Sequence, residues 1–99
     1  MSIFYSYSLV ILIYWYILSH VNTLPGLGNN LRQARKQRFP NDDLRAFALR
    51  IGVSRATLQR MEKGELSVTL GKYFRAAEVL GLGQSFGALL KPQESLFDD

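Results

Sequence analysis

Residues 45–64 are RAFALRIGVSRATLQRMEKG, and they contain two short helical patterns separated by a glycine. The first pattern, residues 44–51, has apolar residues at the i, i+3, i+4 and i+7 positions of one helix face. Either Asp42 or Asp43 can cap its start. Gly52 can end it, because glycine tolerates the positive φ that often follows a helix. The apolar residues of this face are Leu44, Phe47, Ala48 and Ile51.

The second pattern covers residues 55–63, with Ser54 as its cap and Gly64 at its end. Leu58 and Met61 lie one turn apart and are expected in the core. Two short helices joined by a glycine-containing turn of three or four residues form a helix-turn-helix. The outer face of the second helix is mainly basic and hydrogen-bonding. It consists of Arg55, Ala56, Gln59, Arg60 and Lys63.

Three further helices are predicted outside this pair. One covers residues 29–38, with Asn29 or Asn30 as its cap, and ends before Pro40 because a residue that precedes proline avoids helical backbone angles. Another begins at residue 67 or 69 and ends at residue 80, and a short one covers residues 84–91. The first of these helices places Leu31, Ala34 and Arg35 on one face. In the second, the residues spaced for burial are Leu70, Tyr73 or Phe74, Ala77 and Leu80. The sequence therefore predicts an all-α fold, a compact bundle of four to five helices.

Length and composition exclude several function classes. The 99 residues suffice for one small domain. The absence of cysteine excludes disulfide frameworks, cysteine zinc sites and thiol nucleophiles. His20 is the single histidine and lies outside the charged part of the chain. We therefore expect no enzymatic activity, no cofactor and no metal site.

The N-terminal segment is unlike the rest of the chain. Residues 1–31 contain no Asp, Glu, Lys or Arg, and residues 3–18 are IFYSYSLVILIYWYIL. A signal peptide is excluded, because the segment has no basic start and no small-residue cleavage site. Three interpretations stay open. In the first, the segment is a membrane helix, although its 16 residues fall short of the roughly 20 needed to span a bilayer. In the second, it packs on the domain or covers a partner. In the third, it is a translated upstream region, and the natural start lies near Val21, Leu24 or Leu27.

These features divide the chain into four parts. Residues 1–23 form an apolar extension, and residues 24–30, rich in turn-forming Pro, Gly and Asn, form a linker. Residues 31–91 form the helix-turn-helix domain. Residues 92–99 form an acidic tail.

The charges are concentrated around the helix pair. Residues 32–75 carry 11 basic and 4 acidic residues, a net charge of +7, whereas residues 76–99 carry 1 basic and 4 acidic residues, a net charge of −3. Charge alone is compatible with an ordinary solvated basic face. Together with the ordered spacing of the helix pair, however, it is typical of a surface that binds DNA phosphates.

The segment IGVSRATLQRMEKGELSV, residues 51–68, resembles the Cro/CI-type (XRE) helix-turn-helix family. LRQAR at residues 31–35 and LGL at residues 80–82 resemble it as well, so the similarity covers about residues 27–82. The resemblance implies a lambda-repressor-like bundle that binds a double-stranded DNA operator as a homodimer. It also implies that residues 55–63 form the recognition helix.

The resemblance assigns roles to individual side chains. Arg35 and Glu62 would form the family's ion pair between the first and third helices. The family often has a phosphate-contacting glutamine as the first residue of the second helix, and here that residue is Leu44, so support is expected from elsewhere, for example from Arg45. Arg55 lies where the family often places its base reader, and arginine recognises guanine through two hydrogen bonds.

The other predicted DNA contacts surround the recognition helix. Ala56 can lie against a thymine methyl group. Thr57, Lys63 and the amides near Ser54 are candidates for phosphate contacts. Gln59 and Arg60 can reach either bases or backbone. The complete set of predicted DNA contacts is Arg45, Ser54, Arg55, Ala56, Thr57, Gln59, Arg60 and Lys63.

Three biological roles remain open at this point. The domain resembles HipB-like antitoxins, which implies an autoregulating cytoplasmic repressor with a HipA-like toxin as partner and a tail from Pro92 that contacts the toxin or a second copy. The alternative regulator is a stand-alone phage-type or chromosomal repressor. The third role is a membrane-tethered helical module that binds protein, and membrane association requires residues 3–18 to be a genuine helix. The dimer interface is expected at Phe86, Leu89 and Leu90, which are equally compatible with the core.

Overall fold

The structure, a computed structural model, describes residues 2–93, and within that range the side chains of residues 7–17 and 22–93. Over this range the chain is helical and forms no strand, which confirms the predicted all-α class. The helices are α1 (Ser2–Val21), α2 (Pro25–Arg38), α3 (Leu44–Ile51), α4 (Arg55–Glu62), α5 (Leu70–Val79) and α6 (Gly83–Gly87). α2 contacts α4, α3 contacts α4 and α5, and α5 contacts α6, so α2–α6 build the bundle. Residues 94–99 of the predicted acidic tail lie outside the described part.

α1 is an uncharged helix of 20 residues, about 30 Å long at 1.5 Å per residue. The large side chains described along it are between 51% exposed, at Ile17, and 68% exposed, at Trp15. They are therefore not packed into the core of the domain. Residues 3–18 do lie in a helix, but among the described residues no helix combines the length and the hydropathy needed to cross a membrane.

α2 begins earlier than predicted. Pro25 lies in its first turn, where the missing N–H of proline costs no intrahelical hydrogen bond. Residues 25–30 of the expected linker are thus helical, and the prediction that Asn29 or Asn30 caps this helix is wrong. The helix ends at Arg38, as predicted.

The core is built mainly by α3 and α4. Phe47, Leu58 and Met61 are fully buried, and Ala48 and Ile51 are nearly so, which confirms the predicted inner faces of both helices. Each large apolar side chain buried in this way stabilises the fold by roughly 1.5–3 kcal/mol. The helix pair is therefore anchored from its buried side.

The predicted core face of α5 is partly wrong. Leu70 is 65% exposed, because α5 begins at this residue and the core is instead filled by Val68 from the preceding loop. Tyr73 is buried, and Ala76, which the pattern did not single out, is 1% exposed. The last predicted helix, residues 84–91, is shorter in the structure, because α6 ends at Gly87.

Candidate nucleic-acid interface

The turn between α3 and α4 has the geometry that its sequence predicts. Gly52 ends α3 with φ = 72°, and its amide donates to the carbonyl oxygens of Ala48 and Leu49. The Val53 amide also donates to the Ala48 carbonyl, at 3.0 Å. Ser54 caps α4, since its hydroxyl oxygen accepts from the Thr57 amide at 3.0 Å. Both ends of the turn are thus fixed by local hydrogen bonds, which confirms that Gly52 ends α3 and that Ser54 caps α4.

The outer face of α4 is exposed along its whole length. Arg55, Ala56 and Gln59 are exposed, and Lys63 follows directly as the C-cap residue. Thr57 is half-buried, and its hydroxyl oxygen accepts a hydrogen bond from Ser54 Oγ at 3.0 Å. The predicted DNA-binding residues of this helix therefore share one accessible surface, with Thr57 at its edge.

The N-terminal ends of α3 and α4 meet at a shallow polar pocket of about 460 Å³. Its lining combines Arg45 of α3 with Arg55 of α4, together with Asp43 and Leu44. The Asp43 carboxylate is engaged locally, because its Oδ1 accepts from the Ala46 amide at 2.7 Å. The pocket thus brings together the predicted base reader and the residue expected to support it, and two guanidinium groups suit a phosphate or the acceptor edge of a base.

Arg60 differs from the other basic residues at the outer face of α4, because its guanidinium already has partners within the chain. Its Nε lies 2.5 Å from Glu65 Oε2, and its Nη2 donates to Ser67 Oγ at 2.7 Å. No ion pair of Arg55 or Lys63 occurs within the described part of the chain. Arg60 is among the predicted DNA contacts, but its contacts with Glu65 and Ser67 were not predicted, since these partners lie across the turn made by Gly64, beyond the spacing of a single helix.

Replacing Glu65 by glutamine is expected to strengthen binding to every DNA sequence by about two- to fivefold. The change keeps the shape of the side chain but removes the negative charge beside Arg60, so that this guanidinium can pair with a phosphate. The slope of log K against log salt should steepen by about one unit. Fluorescence anisotropy at several salt concentrations measures both effects.

The matched control is Glu78→Gln, which changes the net charge equally but lies on α5, where Glu78 faces Arg75 at 3.8 Å. Equal gains in affinity for both variants would contradict a specific role of Glu65. They would indicate that only the net charge of the protein matters.

On its buried side α4 is held by an ion pair to α2. Arg35 Nε lies 2.6 Å from Glu62 Oε2, and Arg35 Nη2 donates to Glu62 Oε1 at 3.0 Å. The side chains are only 8% and 10% exposed. The structure thus confirms the ion pair that the family resemblance implies, and the two-pronged geometry fixes the rotation of α4 about its axis.

The C-terminal end of α4 is held by the residues that precede α2. The Leu24 amide donates to the Gly64 carbonyl at 2.8 Å, and the Leu66 amide donates to the Asn22 carbonyl at 2.9 Å. These bonds flank an isolated antiparallel bridge between Thr23 and Glu65. Residues 22–24 are therefore hydrogen-bonded to the loop that follows α4, a contact that the sequence did not reveal.

Two further contacts tighten this region. Gly28 is buried against the end of α4, where a Cβ atom would lie 2.6 Å from the Gly64 amide nitrogen. The Tyr73 hydroxyl donates to the Glu65 carbonyl at 2.6 Å. Burial raises the pKa of Tyr73 above its ordinary value, and the Glu65 charge adds to the effect, so the phenol remains a donor at neutral pH.

Arg50, another arginine near the helix pair, forms an ion pair with Asp42. Arg50 Nε lies 2.5 Å from Asp42 Oδ2, and its guanidinium carbon is 4.2 Å from the centre of the Phe39 ring. The hydrogen bond from Arg50 holds the pKa of Asp42 below its usual value. Arg50 thus serves the packing of α3 against Phe39, and it was not among the predicted DNA contacts.

Comparison with known proteins agrees with this geometry. The profile of the Helix-turn-helix family matches residues 31–83, which is more than half of the chain. No curated protein and no solved structure matches the chain. The matched range contains α3, the turn, α4 and the Arg35–Glu62 ion pair. The chain therefore belongs to the Cro/CI-type (XRE) helix-turn-helix family of DNA-binding regulatory domains.

Proposed function

We propose that the protein is a sequence-specific transcriptional regulator that inserts α4 into the major groove of a double-stranded operator. The observation that carries the proposal is the exposed face of α4, where Arg55, Gln59 and Lys63 project from a helix fixed on its opposite side. An α-helix fits the major groove, where each base pair presents a distinct pattern of donors and acceptors. Such a protein acts in the cytoplasm, on DNA.

The proposed contacts divide by chemistry. Arg55, supported by Arg45 in the polar pocket, reads a guanine, and Ala56 and Gln59 lie near neighbouring bases. The phosphate contacts come from Thr57, Lys63 and the amide end of α4 at Ser54. Arg60 joins them only when DNA competes with Glu65 for its guanidinium.

Replacing Arg55 by alanine is expected to relax specificity at one or two base pairs. Loss of a two-pronged contact to guanine removes roughly 1–3 kcal/mol of discrimination, about 5- to 150-fold in affinity for the cognate site. Operators with another base at that position should lose much less. Anisotropy titrations against a panel of single-base operator variants measure the difference.

Lys63→Ala is the matched control on the same helix. It should weaken every operator variant about equally and make the salt slope shallower by about one unit. If Arg55→Ala produced the same uniform loss as Lys63→Ala, Arg55 would be a phosphate contact and not a base reader.

The first test of the function is a titration of the full chain against its own upstream DNA at two salt concentrations. Tight, salt-sensitive binding that exceeds binding to scrambled DNA is expected of an autoregulating repressor. Equal and weak binding to both DNAs would contradict autoregulation.

We further propose that the regulator is a homodimer and acts as the antitoxin of a type II toxin–antitoxin pair, with a HipA-like kinase as its partner. Two copies would place their recognition helices about 34 Å apart, on successive turns of the major groove. Residues 76–99 carry a net charge of −3, opposite in sign to the DNA-binding part, which supports a separate use of this end for protein contacts.

The alternative is a stand-alone phage-type or chromosomal repressor, because the same α4 surface would serve it equally well. Co-expression with a neighbouring kinase gene distinguishes the two. Co-purification with the kinase and loss of its toxicity are expected of the antitoxin. An operator complex that neither binds nor neutralises such a kinase would support the stand-alone repressor.

A further inference from the structure

An apolar groove of about 230 Å³ lies on the side of the domain formed by α2, α5 and α6. Its walls are built from Leu31 and Ala34 of α2, Tyr73 and Ala77 of α5, and Phe86 of α6. Within the described residues, no part of α3 or α4 lines it, so the groove is separate from the outer face of α4. An open apolar recess gains stability when an apolar group fills it, because its walls are then removed from water.

The last described residues of the chain run along this groove. Leu82 and Leu89 line it and are 43% and 56% exposed. Phe86 is partly buried, since its ring packs against Phe74 of α5 with the ring centres 5.3 Å apart. Leu90 is completely exposed. Leu89 and Leu90 thus lie outside the core, and their use in a dimer interface stays a prediction.

The path of the chain beyond Leu89 allows it to return to the groove. Leu90 has φ = 63°, a left-handed conformation that often follows a helix and turns the chain away from the helical path. Phe97 follows Leu89 by eight positions, which span roughly 26–29 Å when fully extended. The groove wall on α2, from Leu27 to Ala34, is only about 10 Å long. The residues after Leu89 are therefore numerous enough to lie along the whole groove.

We propose that the tail of the same chain fills this groove, with Leu96 and Phe97 placed between α2 and α5. Residues 94–99 are ESLFDD, and these two are the only large apolar side chains after Leu90. The groove has room for an aromatic ring, because an apolar cavity of roughly 150 Å³ already holds a benzene molecule. A tail joined by a short stretch of chain also acts at an effective concentration in the millimolar range, which favours it over a free partner of similar chemistry.

Charge distinguishes the tail from the other strongly apolar segment of the chain. Two carboxylates, Asp98 and Asp99, directly follow the apolar pair of the tail. Arg38 lies four positions after Ala34, so it continues the groove-lining face of α2. Arg38 is exposed and forms no ion pair within the described part of the chain. The tail can therefore pair with this guanidinium while its apolar side chains fill the groove, whereas residues 1–31 carry no charge and cannot.

Filled in this way, the groove is closed to other apolar partners until the tail leaves it. The carboxylates of the tail are also held on a side of the domain that α4 does not line, away from the basic side chains of its outer face. The inference concerns a contact within one copy of the chain and does not rest on the proposed function.

Thiol accessibility tests the occupant of the groove, because the chain has no cysteine of its own. Ala77→Cys places a thiol on the groove wall, and the rate of its alkylation is measured in the full chain with and without the double substitution Leu96→Ser and Phe97→Ser. The intact tail should slow alkylation about fivefold or more, by the same factor at every protein concentration, because the protection arises within one chain. Leu49→Cys, at an 81% exposed leucine on α3, is the matched control and should react equally fast with either tail.

Disulfide formation gives an independent readout of where the tail lies. Ala77→Cys is combined with Ser95→Cys in one chain, which leaves both apolar side chains of the tail intact. Under mild oxidation we expect a cross-linked monomer, at a yield several times that of the same cysteine pair with Leu96→Ser and Phe97→Ser, where the loop between the cysteines has equal length. The helical signal in circular dichroism should be the same for both tails, because the serine substitutions lie outside α1–α6.

Equal alkylation rates with the intact and the substituted tail would overturn the proposal. Protection that grows with protein concentration, or a disulfide that joins two copies, would assign the groove to a second chain and overturn it as well. All of these measurements are made without DNA, so a failure of DNA binding leaves them unaffected.

Discussion

Replacing Gly64 by alanine is expected to lower the free energy of unfolding by about 3–5 kcal/mol, a large part of the 5–15 kcal/mol typical of a small domain. Gly64 has φ = 78°, where a Cβ atom is disfavoured by roughly 1–2 kcal/mol whatever its surroundings. Here the Cβ would also overlap the carbonyl oxygen of Leu24. The chain before α2 must then move away, and the hydrogen bond from the Leu24 amide to the Gly64 carbonyl is lost with it.

Urea unfolding followed by circular dichroism measures this loss. The matched control is Gly71→Ala on α5, where no atom lies within 4 Å of the new Cβ. Since alanine favours a helix over glycine, this variant should gain about 0.5–1 kcal/mol. If both substitutions had similar effects, the close approach at Gly64 would not contribute to stability.

Replacing Arg35 by alanine is expected to lower the free energy of unfolding by a similar amount, about 3–5 kcal/mol. In the intact chain the Glu62 side chain is 10% exposed, and the Arg35 guanidinium accounts for both of its described hydrogen bonds, so the variant removes the partner of this carboxylate. A buried charge without a partner is far more costly than the pair itself. Because Glu62 lies on α4, DNA affinity should also fall in the fraction of protein that remains folded.

The double variant Arg35→Leu with Glu62→Leu distinguishes the cost of losing the ion pair from the cost of leaving one buried charge without a partner. An apolar pair of similar volume often replaces a buried ion pair at little cost, so the double variant should be more stable than Arg35→Ala. Arg50→Ala, which breaks the exposed ion pair to Asp42, should have a small effect. A double variant less stable than Arg35→Ala would contradict this account and indicate that the charges themselves hold α4.

The features of the fold that depend on neighbours in the chain are predictable from the sequence. The inner face of α3, the positive φ of Gly52 and the cap at Ser54 all follow from residues within one or two helical turns. The exposed face of α4 follows from the same local pattern, because burying Leu58 and Met61 determines which side chains remain outside. Their contacts with DNA stay predictions.

The features that escaped sequence analysis depend on contacts between distant residues. The Pro-Gly pair at residues 25 and 26 suggested a loop, but Pro25 also suits the first turn of a helix, where the structure places it, and only packing against α4 decides between the two. In the sequence, Arg60 looks like the other basic residues of α4. In the structure, the turn at Gly64 places Glu65 beside its guanidinium. Leu70 fitted the helical spacing of α5, but spacing does not reveal where the core ends.

The hydrogen bonds between residues 22–24 and 64–66 also imply an order of events during folding. Contacts within the α3–α4 pair span few residues and can form rapidly, as in other helical proteins with local contacts. The bridge from Thr23 to Glu65 instead closes a loop of 42 positions, whose conformational entropy must be lost first. A nascent chain on the ribosome can therefore assemble the helix pair early, but α4 becomes fixed at its C-terminal end only after residue 66 has emerged and the N-terminal segment has returned to meet it.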